Sequence, residues 1–108
     1  MAGPADRLNQ VRLSVTLSEK KAKRFTPGGL PVLEVTVSYS GEVQEAGSER
    51  QIQLTARAKA VGQVAERIDA IPLGAELCAL GFLAPARLNS RQLIFHITDF
   101  ELEQKHGV

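Results

Sequence analysis

The sequence predicts a mainly all-β domain: a five-stranded Greek-key barrel with one short helix between the third and fourth strands. Three observations carry that expectation. Apolar and polar residues alternate at period two in several separate segments, as they do on half-buried strands. Only one stretch, from residue 61 to residue 71, changes to three- and four-residue apolar spacing. The length of 108 residues suits one modest core but not two.

The first strand covers residues 11–17, where Val11, Leu13, Val15 and Leu17 alternate with Arg12, Ser14 and Thr16. Residues 18–25 are polar and basic and prolong that strand beyond the core. Thr26-Pro27-Gly28-Gly29 reads as a turn, because proline presets φ and glycine accepts positive φ. Residues 30–39 return as the second strand, with Val35, Val37 and Tyr39 opposed to Glu34, Thr36 and Ser38. Together they make a long hairpin with a basic arm near its tip. Residues 40–48, rich in Gly, Glu and Gln, read as a mobile connection. Its acids Glu42 and Glu45, with Glu49, serve solubility.

The third strand, residues 51–60, alternates without exception. Gln51, Gln53, Thr55, Arg57 and Lys59 share one face, and Ile52, Leu54 and three alanines share the other. Val61, Val64, Ile68 and Ile71 then define a helix face of about three turns, ended by Pro72 and Gly74. The fourth strand, residues 75–83, is apolar on both faces: Leu77, Ala79 and Leu83 on one, Cys78, Leu80 and Phe82 on the other. Residues 84–91 form a loop carrying Arg87 and Arg91. In the fifth strand, residues 92–103, the apolar phase slips from Leu93, Phe95 and Ile97 to Phe100 and Leu102, which predicts a bulge near Thr98 and Asp99. This strand and helix order is that of the OB-fold, whose ligand face is formed by strands two and three and framed by the loops joining strands one to two and four to five. The domain is expected to span residues 8–103, with tails at 1–7 and 104–108.

Bulk properties narrow the function. Hydrophobic residues make up 44% and charged residues 23%, as in an ordinary soluble protein, and the net charge is only +1. No apolar run approaches the roughly 20 residues that cross a bilayer, and Met1-Ala2-Gly3-Pro4-Ala5-Asp6-Arg7 has no signal-peptide character. A single cysteine, Cys78, permits no internal disulfide, so a cytoplasmic protein is expected. Cys78 lies in an apolar strand and reads as an inert thiol. His96 and His106 are the only histidines, and His106 falls in the terminal tail. No Cys–His spacing suits zinc, and Pro27-Gly28-Gly29 is turn chemistry, not a phosphate cradle. No enzyme, cofactor or metal is expected.

The charge distribution says more than the total. In an OB barrel the first framing loop would carry Lys20, Lys21, Lys23 and Arg24, the second Arg87 and Arg91, and the face between them Arg57 and Lys59. A groove for single-stranded nucleic acid needs cations for phosphates and flat side chains for bases. Neutralising roughly four phosphates would give a slope of log K against log salt near −3. Stacking platforms are scarce: there is no Trp, and Phe95 and Phe100 sit in core phases, leaving Phe25 and then Tyr39 as candidates. Affinity should therefore be moderate, governed by charge and little dependent on sequence, and RNA would fit the same chemistry. The competing readings are structural: lysines that blunt a strand edge, a solvated barrel wall and ordinary loop arginines.

Thr26-Pro27-Gly28-Gly29-Leu30-Pro31, Val43-Gln44-Glu45-Ala46-Gly47, Arg50-Gln51, and Leu73-Gly74 leading to Gly81-Phe82-Leu83 resemble the primosomal replication protein N (PriB) family. The chain is similar, more distantly, to bacterial single-stranded-DNA-binding protein. The likeness spans about residues 8–103. It implies a homodimeric OB-fold that binds single-stranded DNA, without catalysis, in restarting stalled replication forks at the nucleoid. It implies as partners the primosomal helicase, which the protein would stimulate or recruit, and in some bacteria a helicase-loading protein. Family members contact DNA through basic residues of the strand four-to-five loop, a role matched here by Arg87 and Arg91. The two-faced fourth strand is compatible with a dimer interface. Ser48 and Gln53 stand where better-known members carry aromatics, and that loop is shorter and less basic here. These departures keep a second reading open, an OB barrel that docks a protein and binds DNA weakly or not at all. The ending Gln104-Lys105-His106-Gly107-Val108 lacks the long acidic-tipped tail of single-stranded-DNA-binding protein itself.

Overall fold

Period-two patterning on β1 (Val11–Lys20) turns Val15 and Leu17 into the core at 3% and 0% exposure. A computed structural model describes residues 7–103; residues 1–6 and 104–108, with most of the two expected tails and His106, lie outside them. Leu17 pairs with Val37 and Glu19 with Thr36, so Ser18 is the extra residue of a bulge. That bulge bends β1 so that residues 11–16 pair with one neighbouring strand and residues 16–20 with another.

The basic arm departs from expectation. Residues 18–20 do prolong β1, but the chain leaves it after Lys20 and forms a two-residue strand, β2 (Arg24–Phe25), against Val32 and Pro31. The turn at Thr26 to Gly29 is present, with the Gly29 amide donating to the Thr26 carbonyl at 2.8 Å and Gly29 at φ 93°.

β3 (Pro31–Glu45) and β4 (Ser48–Val61) pair without a break, from Val32 opposite Val61 to Glu45 opposite Ser48. The mobile connection expected at residues 40–48 is therefore wrong; this stretch is a two-stranded ribbon and its turn. Ala46 and Gly47 take φ 54° and 80°, the pair of positive values a type I′ hairpin turn requires. Arg50 donates to Glu45 at 2.6 Å and Gln51 to Glu42 at 3.2 Å across the ribbon. Its composition misleads because residues 42–50 are all exposed, so no apolar alternation marks the strands.

α1 (Gln63–Asp69) is shorter than the spacing suggested. Val61 ends β4 at 40% exposure and Ile71 lies beyond the helix, while Val64, Ala65 and Ile68 are buried. β5 (Glu76–Pro85) and β6 (Leu93–Leu102) come next as an antiparallel pair. Leu77 and Ala79 are buried as expected, but Leu83 is 39% exposed and Cys78, Leu80 and Phe82 are half-buried. Leu80 faces Asp99 and Gly81 faces Ile97, leaving Thr98 as the bulged residue the phase slip predicted.

The sheet runs β1-β5-β6-β4-β3 and closes through the β1–β3 pairing, with β2 as a spur on β3. β4 meets β6 in parallel at Ala58 opposite Phe95 and Lys59 opposite His96. Five long strands thus form a closed Greek-key OB barrel, with α1 between β4 and β5 packed against β3, β4 and β6. Leu17, Leu33, Val37, Ile68 and Leu77 fill its centre. A Cβ added at Gly81 would overlap the His96 carbonyl oxygen across the β5–β6 bulge. Gly81→Ala should consequently cost at least about 3 kcal/mol, or prevent folding, in urea denaturation. A wild-type midpoint would show that the strands can separate there at little cost.

Candidate nucleic-acid interface

The β3–β4 register builds the outer face. Lys59 stands opposite Glu34, Arg57 opposite Thr36, Thr55 opposite Ser38, Gln53 opposite Ser40 and Gln51 opposite Glu42. The polar row expected on one strand is in fact a double row. At its barrel end lies an open groove of about 240 Å³, lined by Glu19, Lys21, Glu34, Thr36, Arg57 and Ile94, among others. Thr36 donates its hydroxyl proton to Glu19 at 3.0 Å, tying β1 to this floor.

Glu34 organises the charges. Its carboxylate, 25% exposed, accepts from Arg24 Nη2 at 2.8 Å and lies 3.9 Å from Lys21 Nζ and 4.0 Å from Arg57 Nη2. The Arg24 hydrogen bond, helped by the charges of Lys21, Arg24 and Lys59, holds the Glu34 carboxyl below its ordinary value. Each contact reaches water, so each is worth at most about 1 kcal/mol. Their value lies in arranging the groups.

The other expected contacts are distributed unevenly. Lys20 turns inward and donates to the Asp69 and Ile71 carbonyls at 3.0 and 2.8 Å, closing the C-terminal end of α1. Lys23 donates to Glu66 at 2.6 Å and lies 5.7 Å from the Phe25 ring centre. Phe25 itself is 57% exposed on β2. Tyr39 shares the inward phase with its partner Leu54, on the opposite side of the ribbon from Arg57 and Lys59. Arg87 and Arg91 are exposed in the β5–β6 loop, and among the described residues neither makes an ion pair. Because β6 enters beside β4, this loop flanks the row on the side away from β2. The fold thus gathers Lys21, Arg24, Arg57 and Lys59, sets Arg87 and Arg91 beyond them, and commits Lys20 and Lys23 to the helix.

Two features escaped sequence reasoning. Glu34 looked like one more polar strand position; only the type I′ turn at Ala46 and Gly47 places it across from Lys59. Phe82 and His96 stack with ring centres 4.9 Å apart and planes 10° apart, and β4–β6 pairing puts Lys59 next to His96. Burial, then the Lys59 charge, pushes the His96 imidazole below its ordinary value, which favours the neutral ring. Both residues occupy half-buried phases of their strands, the signal that would have marked them. Among the described residues, no group of three or more His, Cys, Asp or Glu could hold a metal ion, and no helix is long and apolar enough to cross a membrane.

These contacts can be tested in two ways. Lys20→Met should lower stability by about 1 kcal/mol in urea, since two helix-end carbonyls lose a cationic donor; an unchanged midpoint would remove Lys20 from that role. Glu34 has a depressed folded pKa, so its stabilisation is present above the unfolded value of 4.5 and lost as pH falls through the lower folded value. Glu34→Gln should therefore be less stable than wild type at neutral pH, the gap closing as the solution is acidified through that range. A pH-independent gap would mean that packing, not charge, is at stake.

Comparison with known proteins points the same way as the geometry. Residues 9–99 match the family model described as "Another single-strand binding protein family". The chain is 42% identical over 90 residues to replication restart protein PriB of Bordetella pertussis, covering 83% of this chain and 84% of that protein. Its counterpart in Nitrosomonas europaea is 36% identical over 91 residues, covering 84% of each. Among solved structures, PriB from Ralstonia solanacearum superposes with a TM-score of 0.83 at 35% identity, covering 91% of this chain and all of that one.

Proposed function

Because the chain belongs to the PriB family of single-strand-binding OB-fold proteins, we propose that it is a non-catalytic single-stranded-DNA-binding factor of replication restart. The observation that carries this reading is the convergence of Lys21, Arg24, Arg57 and Lys59 on the outer face of β3 and β4. Phosphates would lie along these cations and reach Arg87 and Arg91 on the β5–β6 loop, with Phe25 offered to a base. Such a strand would be held chiefly by charge.

The same reading includes a protein partner, the primosomal helicase, which this factor would recruit or stimulate, with a helicase-loading protein as a further partner. It also includes a homodimer working in the cytoplasm at replication forks. The β1 edge at residues 11–15 supports pairing between copies, because among the described residues it is paired only to β5. A second reading, a protein-docking barrel with little affinity for DNA, is favoured by Glu34, which already neutralises part of the cationic face.

Fluorescence anisotropy of labelled oligo-dT at two salt concentrations separates these readings. Under the first, binding is micromolar or tighter, with a log–log salt slope near −3 for roughly four phosphates. Arg87→Ala combined with Arg91→Ala should flatten that slope by about 1.4 and leave the urea midpoint in place. Absence of binding at low salt would leave the docking reading, and a pull-down with the helicase would test it.

A further inference from the structure

Glu34 contacts more cations than any other acid among the described residues, and it does so in the middle of the proposed DNA face. It is on an outward phase of β3, with Lys59 directly across on β4. Arg24 approaches from β2, Lys21 from the segment after β1, and Arg57 from the next outward position of β4. The carboxylate therefore meets cations delivered by separate parts of the chain. Carboxylate and phosphate oxygens use the same guanidinium donors, so both compete for one place. At 25% exposure the Glu34 side chain is reachable from the open groove and can be exchanged.

Glu19 makes the contrast. It lines the same groove, yet it accepts a hydrogen bond from the neutral hydroxyl of Thr36 and makes no ion pair among the described residues. The cations here have thus selected one acid on geometric grounds, not the nearest negative charge in general.

We propose that Glu34 sets the affinity of this groove by occupying the phosphate position on Arg24, Arg57 and Lys21 until a nucleic-acid strand displaces it. The inference rests on the single-stranded-DNA reading and deepens it. DNA binding becomes an exchange of one anion for another, not an addition to bare cations. An isolated phosphate gains little from such an exchange, because it replaces a carboxylate already tethered at high local concentration. A strand carrying several phosphates gains from Lys59, Arg87 and Arg91 as well, and so can displace it. The groove is thereby tuned to polymer over mononucleotide, and it releases its strand readily.

Glu34→Gln is the test, with Glu49→Gln at the exposed ribbon as a control for the same change of net charge. Anisotropy with labelled oligo-dT at low salt should give about tenfold tighter binding for Glu34→Gln. Its salt slope should steepen by about 0.7 for each cation released to phosphate. Glu49→Gln should stay within about twofold of wild type, as a distant exposed charge is screened. Inhibition by thymidine monophosphate should become measurable at lower concentration in Glu34→Gln than in wild type. Glu34→Thr, which suits a strand, repeats the measurement if the glutamine variant folds poorly. A wild type that binds while both Glu34 variants bind no better overturns the inference and leaves the DNA reading standing. So does a gain for Glu49→Gln that matches theirs. A wild type without binding but a Glu34 variant that binds supports the inference strongly. If none binds at low salt, the DNA reading and the inference fall together.

Discussion

The register of the β3–β4 hairpin is the constraint on which the outer face depends. Side chains alternate at period two, so a slip of β4 by one residue would turn Arg57 and Lys59 inward and drive Ala58 and Ala60 into water. The buried members of these strands, Leu33, Val37 and Ala60 among them, resist that slip from inside the barrel. The turn at Ala46 and Gly47 resists it from the far end, since only positive φ at both positions joins the strands in this alignment. Core packing and a turn some distance from the groove together decide which charges meet there.

Those charges compensate each other closely. A chain with a net charge of +1 can hold a polyanion only if its cations are concentrated, and here they are gathered around one carboxylate. The arrangement keeps Arg24 and Arg57 oriented toward the groove without leaving a strongly positive field. At the same time it separates two groups of basic residues that looked alike along the chain. Lys20 and Lys23 belong to the helix end, and Lys21 and Arg24, their immediate neighbours, belong to the groove.

Much of the barrel was legible because its strands are half-buried. Val15 and Leu17, Val35 and Val37, and Ala58 and Ala60 all lie in the phase their alternation implied, and the slip between Ile97 and Phe100 marked the bulge at Thr98. Reading failed where burial stops carrying information. The ribbon beyond Ser40 has water on both faces, so its residues resemble those of a loop. Val61 and Ile71 fit the helix period by accident of a strand end and a turn, and α1 is correspondingly short. The pairing of Glu34 with its cations depends on tertiary approach of β2 and β4, which no local pattern encodes. Lys20 takes the inward phase because the bulge at Ser18 shifts the alternation of β1, pairing Lys20 with the buried Val35.

The ribbon has one more consequence, for solubility. Past Tyr39 the outer edge of β3 has no partner strand among the described residues, because β1 reaches only as far as Ser38. An open edge of that length is a template for unwanted strand addition between molecules. Glu42 and Glu45 lie on this strand, and like charges would be brought together if two ribbons aligned along it. The acids on the projecting hairpin thus discourage strand addition along the same long strand that carries the outer polar face of the barrel.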